Sequence, residues 1–230
     1  PAILGLLPDR ATIVQRRIKC FGAGESAVEA LLPDLVRRGR DPLVGITAHE
    51  ATITLRIAAR GRDEAECLAK IAPTEATIRE CLGVIAYGVE DDEIEDTVLA
   101  TVASAGGTLA SVEAGTEGRA AALLSRAAVR RGDAAAVYRG GRVLPSLAGD
   151  VAAAARAVRA EFDATIGLAV GGARPAAEGR RAVDIAVADA AGVVVIEHVL
   201  GGGTELAATR GAKTAVNLVR LRLLGVEAPS

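Results

Sequence analysis

The sequence predicts an α/β protein in two parts: a small βαββαβ unit, then a three-layer α/β/α unit with a mixed sheet. Three observations carry this. Strand-like and helix-like periodicities alternate along all 230 residues. Half the residues are hydrophobic and 24% are charged, the balance of a globular chain with a substantial core. The inner strands of the second half, such as VVVI at 193–196, are continuous apolar runs, as expected when helices cover both sheet faces.

The elements follow in order. ATIVQRRIKCFG, residues 11–22, is rich in β-branched residues and stops at Gly22-Ala23-Gly24. GESAVEALLPDLVRRG then repeats Val28, Leu31, Leu32, Leu35 and Val36 at helical spacing, with a kink or broken turn expected at Pro33. PLVGITAHE and ATITLRIAARG read as two strands. In the second, Ile53, Leu55 and Ile57 alternate with Thr52, Thr54 and Arg56. DEAECLAKIAPTEATIRECLG is the next helical stretch, interrupted at Pro73, and VIAYGV is a short closing strand. This order is that of a split βαβ, ferredoxin-like or KH-like unit. Its boundary is placed at Asp92, giving units 1–92 and 93–230, and the acidic segment Glu90 to Asp96 reads as an interdomain hinge.

In the second half, Ile94, Val98, Leu99 and Val102 share a helix face that stops at Gly106-Gly107. Strand TLASV, helix 117–131, strand AAAVY and helix 150–162 come next. Strands near 165–171, 182–188 and 192–199 precede a last helix over 204–223. Between TLASV and helix 117–131 lies the small-residue turn SVEAGTEG, residues 111–118. A strand-to-helix turn of this kind is where many enzymes keep a nucleophile or an anion cradle.

Composition narrows the function classes. The only aromatic residues are Phe21, Tyr87, Tyr138 and Phe162, so a single-strand nucleic-acid surface built on stacking is disfavoured. The net charge of −2 argues against a strongly electrostatic partner such as duplex DNA. The basic clusters Arg16-Arg17-Lys19, Arg37-Arg38-Arg40 and Arg130-Arg131 read as solvated faces. Cys20, Cys67 and Cys81 form no CxxC pair and suit a reducing cytoplasm. His49 and His198 lack ligand-spaced partners, so neither a zinc site nor another cofactor is expected. No apolar run is long enough to span a bilayer.

FGAGESAVEALLPDL resembles the F-G-x-G-E-S segment of the competence/damage-inducible CinA family. TLASVEAGTEGRAAALL is similar to that family's T-L-A-x-A-E-S-C-T-G-G segment, and IGLAVGG to its strand ending in V-T-G. The resemblance implies a KH-like unit followed by a nicotinamide-mononucleotide amidohydrolase-like unit, with a homodimer as the assembly. It further implies that a molybdopterin-binding-like domain precedes them, AILGLLPDR being its tail. The implied reaction is hydrolysis of the nicotinamide carboxamide, giving nicotinate mononucleotide and ammonia.

Amide hydrolysis through a covalent intermediate needs a nucleophile, a base and donors for the oxyanion. The resemblance assigns these to the serine of A-E-S-C-T-G-G and a lysine in a later Y-S-N-x-x-K segment. Position by position, Glu113, Thr116 and Gly118 match the family. The serine position is Ala114, the cysteine position Gly115, and the first glycine Glu117. Tyr138 matches the tyrosine, but no lysine lies between 71 and 212, and the family threonine is Gly171. The catalytic set is therefore not intact. Glu113, Thr116, Gly118, Tyr138, Gly172 and Arg174 stay as candidates to line a ligand site. Arg119, Arg139, Arg142 and Arg174 could hold the phosphate of a pyridine mononucleotide or another phosphate-bearing small molecule. Three readings remain open: a noncatalytic ligand-binding, scaffold or oligomerisation unit; an amidohydrolase with a relocated nucleophile at Thr116 or Glu113; and, last, nucleic-acid binding by the first unit, which has no GxxG loop.

Overall fold

Alternation along the first strand decides which side of the first sheet is buried. In the computed structural model, which describes residues 11–226 except 33, 38, 133 and 201–203, β1 (Thr12–Cys20) pairs antiparallel with β3 (Thr52–Gly61) in unbroken register. Ile18 and Cys20 of β1 face inward with Ile53, Leu55, Ile57 and Ala59 of β3. β2 (Leu43–His49) adds Val44, α1 (Glu25–Leu31) adds Val28, and α2 (Glu64–Leu82) lays Cys67, Ile71, Ile78 and Leu82 across the same core. Each large side chain fully withdrawn from water here contributes about 1.5–3 kcal/mol.

With β4 (Ala86–Val89) the strand order is β2-β3-β1-β4, every neighbouring pair antiparallel. Each βαβ crossover therefore straddles one strand, the split βαβ arrangement expected of a ferredoxin-like unit.

Three local expectations are corrected. α2 runs through Pro73 without a break. Cys67 and Ile71 before the proline, and Thr74, Ile78 and Leu82 after it, are all buried, so docking of both halves offsets the lost backbone bond. α1 ends at Leu31, well short of the apolar pattern that continues to Val36. Arg16 and Arg17 are not simply solvated: Arg16 pairs with Glu75 and Glu90, each at 3.3 Å, and Arg17 with Glu90 at 3.2 Å and Asp91 at 3.1 Å. The kink at Pro33 and the tail at residues 2–10 lie outside the described residues.

The described residues form two compact units that divide between Asp92 and Glu93. The second opens with α3 (Ile94–Ser104), β5 (Leu109–Glu113) and α4 (Arg119–Arg131). A four-residue helix α5 (Ala134–Val137) leads into β6 (Tyr138–Val143), then α6 (Val151–Glu161) and β7 (Ile166–Val170). A two-residue strand β8 (Arg174–Pro175), the hairpin β9 (Arg181–Asp189) and β10 (Gly192–Leu200), and α7 (Thr204–Leu223) complete it.

The sheet order is β10-β9-β7-β5-β6, with β8 beside β9. β5 is parallel to β6 and β7, whereas β7–β9 and β9–β10 are antiparallel, so the sheet is mixed. α6 covers one face through Val151, Ala155 and Val158, against Ala110, Val112, Ala169, Ala186 and Ala188. α3, α4 and α7 pack on one another, and α4 and α7 also meet the sheet strands. Among the described residues no helix is long and apolar enough to cross a membrane.

AAAVY, expected as a strand, is instead the α5 turn, and the strand is the glycine-containing YRGGRV. Alanine has the best helix propensity, so AAA follows its local preference. The strand follows tertiary demand. A Cβ at Gly141 would lie 2.5 Å from Ser111 Oγ, and one at Gly140 would lie 3.2 Å from the Phe162 ring.

Candidate active site

β5 has all five residues buried. Ala110 and Val112 pack in the α6-side core, which leaves Leu109, Ser111 and Glu113 for the opposite face, where α4 lies. A serine and a glutamate on a fully buried strand must find partners inside the protein. Ser111 and Tyr138 hydroxyls are 2.7 Å apart and buried. Burial pushes the Tyr138 phenol above its ordinary pKa. The hydrogen bond to Ser111 opposes this and the Glu113 charge adds to it. Tyr138 is thus a neutral phenol closed under β6.

Glu113 is only 1% exposed. Its carboxylate accepts the Thr116 hydroxyl, the Ala120 N–H at 3.2 Å and the Ala121 N–H at 2.8 Å. The next bonds complete the helix start: Arg119 N–H donates to Thr116 O and Ala122 N–H to Gly118 O, both at 2.9 Å. All four initial N–H groups of α4 are therefore satisfied within the chain, and the carboxylate sits at the favourable end of the helix dipole. An external anion at this helix start would have to displace Glu113. Thr116 is 0% exposed and already donates its proton to Glu113.

Ala114 and Gly115 meet the end of β7. Ala114 N–H donates to Val170 O at 2.9 Å, one rung beyond β5. A Cβ at Gly115 would stand 2.0 Å from Gly171 O, so the turn closes only with glycine there. Glu117 and Gly118, with φ of 54° and 83°, then swing the chain into α4 through two left-handed residues.

The remaining candidates lie elsewhere. Gly172 is exposed, with no atom within 4 Å of a Cβ placed on it. Arg174 donates to Asp184 at 3.0 Å and to Glu197, and these two carboxylates raise its pKa further above its ordinary value. Arg119 pairs with Glu117 at 3.2 Å and Arg142 with Glu161, while Arg139 is exposed. Three of the four arginines considered for a phosphate are thus engaged by carboxylates of the same chain. Lys213, the only lysine of this unit, stands buried on α7 with its amine 3.9 Å from Glu93.

The structure therefore gathers Glu113, Thr116 and the start of α4 into one network, seats Ala114 and Gly115 on β7, and couples Tyr138 to Ser111. Arg174 joins a different group, with Asp184 and Glu197 as partners that sequence reading did not pick out. The polar Ser111 and Glu113 on an otherwise apolar strand were the available signal for the network. No comparable signal tied Arg174 to two strands that follow it.

Known proteins place the chain. Residues 15–88 match the family described as damage-inducible protein CinA KH domain. A CinA-like protein of Frankia casuarinae is 33% identical over 254 aligned positions, covering 98% of this chain and 58% of that protein. A putative competence-damage inducible protein of Caldanaerobacter subterraneus is 40% identical over 107 residues, 46% of this chain and 26% of the relative. The chain thus spans between about a quarter and somewhat over half of these relatives' lengths. A solved CinA superfamily protein from Klebsiella pneumoniae covers 58% of this chain and 99% of its own, at 17% identity and a TM-score of 0.47. Residues 15–88 thus match the CinA KH-domain family, and nearly the whole chain is similar to a CinA-like protein.

Proposed function

We propose that residues 93–230 form a noncatalytic amidohydrolase-like unit, joined to a KH-like unit at 1–92, and serve as a scaffold or oligomerisation module. One observation carries the reading. The turn that the family resemblance makes catalytic has Ala114 where a serine would attack, and its polar groups are spent on holding α4. A methyl group cannot attack a carbonyl, and an arginine cannot replace the missing lysine as base because it stays protonated. Any ligand that is kept would be a phosphate-bearing small molecule such as a pyridine mononucleotide. The reduced cysteines fit a cytoplasmic setting.

The experiment is incubation of the full chain with nicotinamide mononucleotide and detection of released ammonia. No release above buffer is expected, for the wild type and for Ala114→Ser alike, since the serine would still lack a base. The competing reading, a nucleophile relocated to Thr116 with Glu113 as base, draws on their mutual hydrogen bond. Ammonia release that disappears in Thr116→Ala would establish it and end the noncatalytic reading.

A further inference from the structure

Two residues in the first unit's sheet are not explained by its folding, and they stand side by side. Gly45 of β2 is the cross-strand neighbour of Arg56 of β3, and Arg56 is in turn opposite Arg17 of β1. All three lie on the face turned away from the core, since Val44 and Ile46 of β2 and Leu55 and Ile57 of β3 point into it. Like charges directly opposed across strands are destabilising. Arg17 is compensated by Glu90 and Asp91, just after β4. Arg56 is exposed, and its side chain forms no ion pair or hydrogen bond among the described residues. Neither β2 nor β3 contains an aspartate or glutamate that could offset it.

Gly45 is equally unforced. Its φ is not positive, and a Cβ on it would meet no atom within 4 Å, whereas one on Gly141 of β6 would lie 2.4 Å from Ser111 O. Valine or threonine would suit a strand better. A strand glycine with free space beside it marks a place where another backbone or a ligand comes close. β2 is also an edge of its sheet. Both residues of the β2–β3 turn, Glu50 and Ala51, have positive φ, as in the two-residue hairpin turn whose flanking residues, here His49 and Thr52, exchange backbone bonds. Alternation from there turns the N–H and C=O of Ile46 and Ala48 outward. Among the described residues no backbone hydrogen bond from outside the sheet reaches them. Val44 is buried, so the open stretch runs from Gly45 to His49.

We propose that the Gly45–His49 edge of β2 receives an extended acidic segment of a partner protein, which adds a strand to the sheet and sets a carboxylate opposite Gly45 to pair with Arg56. Residues opposed across strands share a face, so the partner's side chain at that position enters the space that the glycine leaves free. Two strand spacings, about 10 Å, separate its Cα from that of Arg56, within the joint reach of a glutamate and an arginine. Backbone bonds to Ile46 and Ala48 supply affinity, and the carboxylate supplies selection. A second copy of β2 brings no carboxylate, so self-pairing leaves Arg56 uncompensated. β2 and β3 hold no aromatic residue on which a nucleobase could stack. The inference concerns the first unit and does not depend on whether the β5–α4 turn is catalytic.

The probe is a labelled peptide of alternating valine and glutamate, with a valine–lysine peptide as control, titrated with the full chain and followed by fluorescence anisotropy. At about 0.15 M salt, charges farther apart than about 8 Å are largely screened, so local pairing dominates the readout. The glutamate peptide should bind saturably and the lysine peptide should not. Arg56→Gln should raise the dissociation constant at least about tenfold. Gly45→Val, which fills the space with a better strand former, should raise it too, while Arg60→Gln, beyond the open stretch, should leave it within about twofold. Amide exchange at Ile46 and Ala48 should slow when the peptide is added to the unmodified protein, a readout that does not depend on a variant folding. Absence of saturable binding, equal binding of the lysine peptide, indifference to Arg56→Gln or Gly45→Val, an equal loss with Arg60→Gln, or unprotected amides at 46 and 48 would overturn the assignment. So would protection that rises with protein concentration alone, the mark of self-pairing, or protection by poly-uridylate in place of the acidic peptide.

Discussion

Gly115 occupies a position where one added carbon decides whether the β5–α4 turn can close. The obstacle is the backbone oxygen of Gly171, 2.0 Å from the Cβ that alanine would bring, and backbone at the end of a buried strand cannot swing aside as a side chain can. Gly115→Ala should cost about 1–3 kcal/mol, the range typical of overpacking. Gly172→Ala, with open space around it and no positive φ, should be neutral. Urea midpoints of the two variants beside the wild type check this, and equal midpoints would mean that the turn relaxes freely. The contact also changes what the family comparison means. The resemblance places a cysteine at 115 and a threonine at 171, and both positions here are glycine. Read along the chain, these are two separate losses of chemistry. In space they are one close approach of main chain to main chain, which sequence reading could not see because the residues lie far apart in the chain.

The β9–β10 hairpin shows how an element depends on a single carboxylate. Asp189 Oδ1 accepts the N–H groups of Ala191 at 2.8 Å and Gly192 at 3.1 Å, while Arg222 of α7 reaches Oδ2 at 2.8 Å and Oδ1 at 3.0 Å. The hydrogen bond from Arg222 is the main cause holding the Asp189 pKa below its ordinary value. Burial works against it, and the turn N–H groups assist. A depressed pKa in the folded state gives stability that is present above the unfolded value of about 3.9 and is lost as pH falls toward the folded one. Asp189→Asn should therefore destabilise by about 1–3 kcal/mol at neutral pH, the range for a charged hydrogen-bond partner, and by progressively less below about pH 4. Urea titrations at pH 7 and pH 3 test the sign; a gap between variant and wild type that widens in acid would contradict it. At this scale, period and composition made the fold class legible, because the alternation of Ile53, Leu55 and Ile57 and the unbroken VVVI run report burial directly. They misled where local preference and tertiary demand diverge. AAAVY has helix-forming alanines and became helix, YRGGRV has poor strand formers and became strand, and Pro73 sits inside a helix whose buried face holds it on both sides.

For the molecule as a whole, the acidic stretch from Glu90 to Asp96 is the part whose meaning changes most. Read as sequence it is a charged hinge. In the structure its charges divide between the two units. Glu90 and Asp91 pair with Arg16 and Arg17 of β1, and Asp92 Oδ2 accepts the Val89 N–H at 2.8 Å. Glu95 and Asp96 instead hold Arg130 of α4, at 3.1 Å and 2.8 Å. A cut between Asp92 and Glu93 therefore severs none of these bonds and leaves the first unit's hydrophobic core entire. Separately expressed residues 1–92 and 93–230 should each fold. Each half carries one buried tyrosine, Tyr87 or Tyr138, so the near-ultraviolet signal reports on each core without a tryptophan. Cooperative loss of that signal on heating is the expected result for both fragments, as for single domains of this size. A fragment lacking such a transition would show that the cut passes through a single cooperative structure, and that the division of acidic partners at Asp92 does not mark a domain boundary.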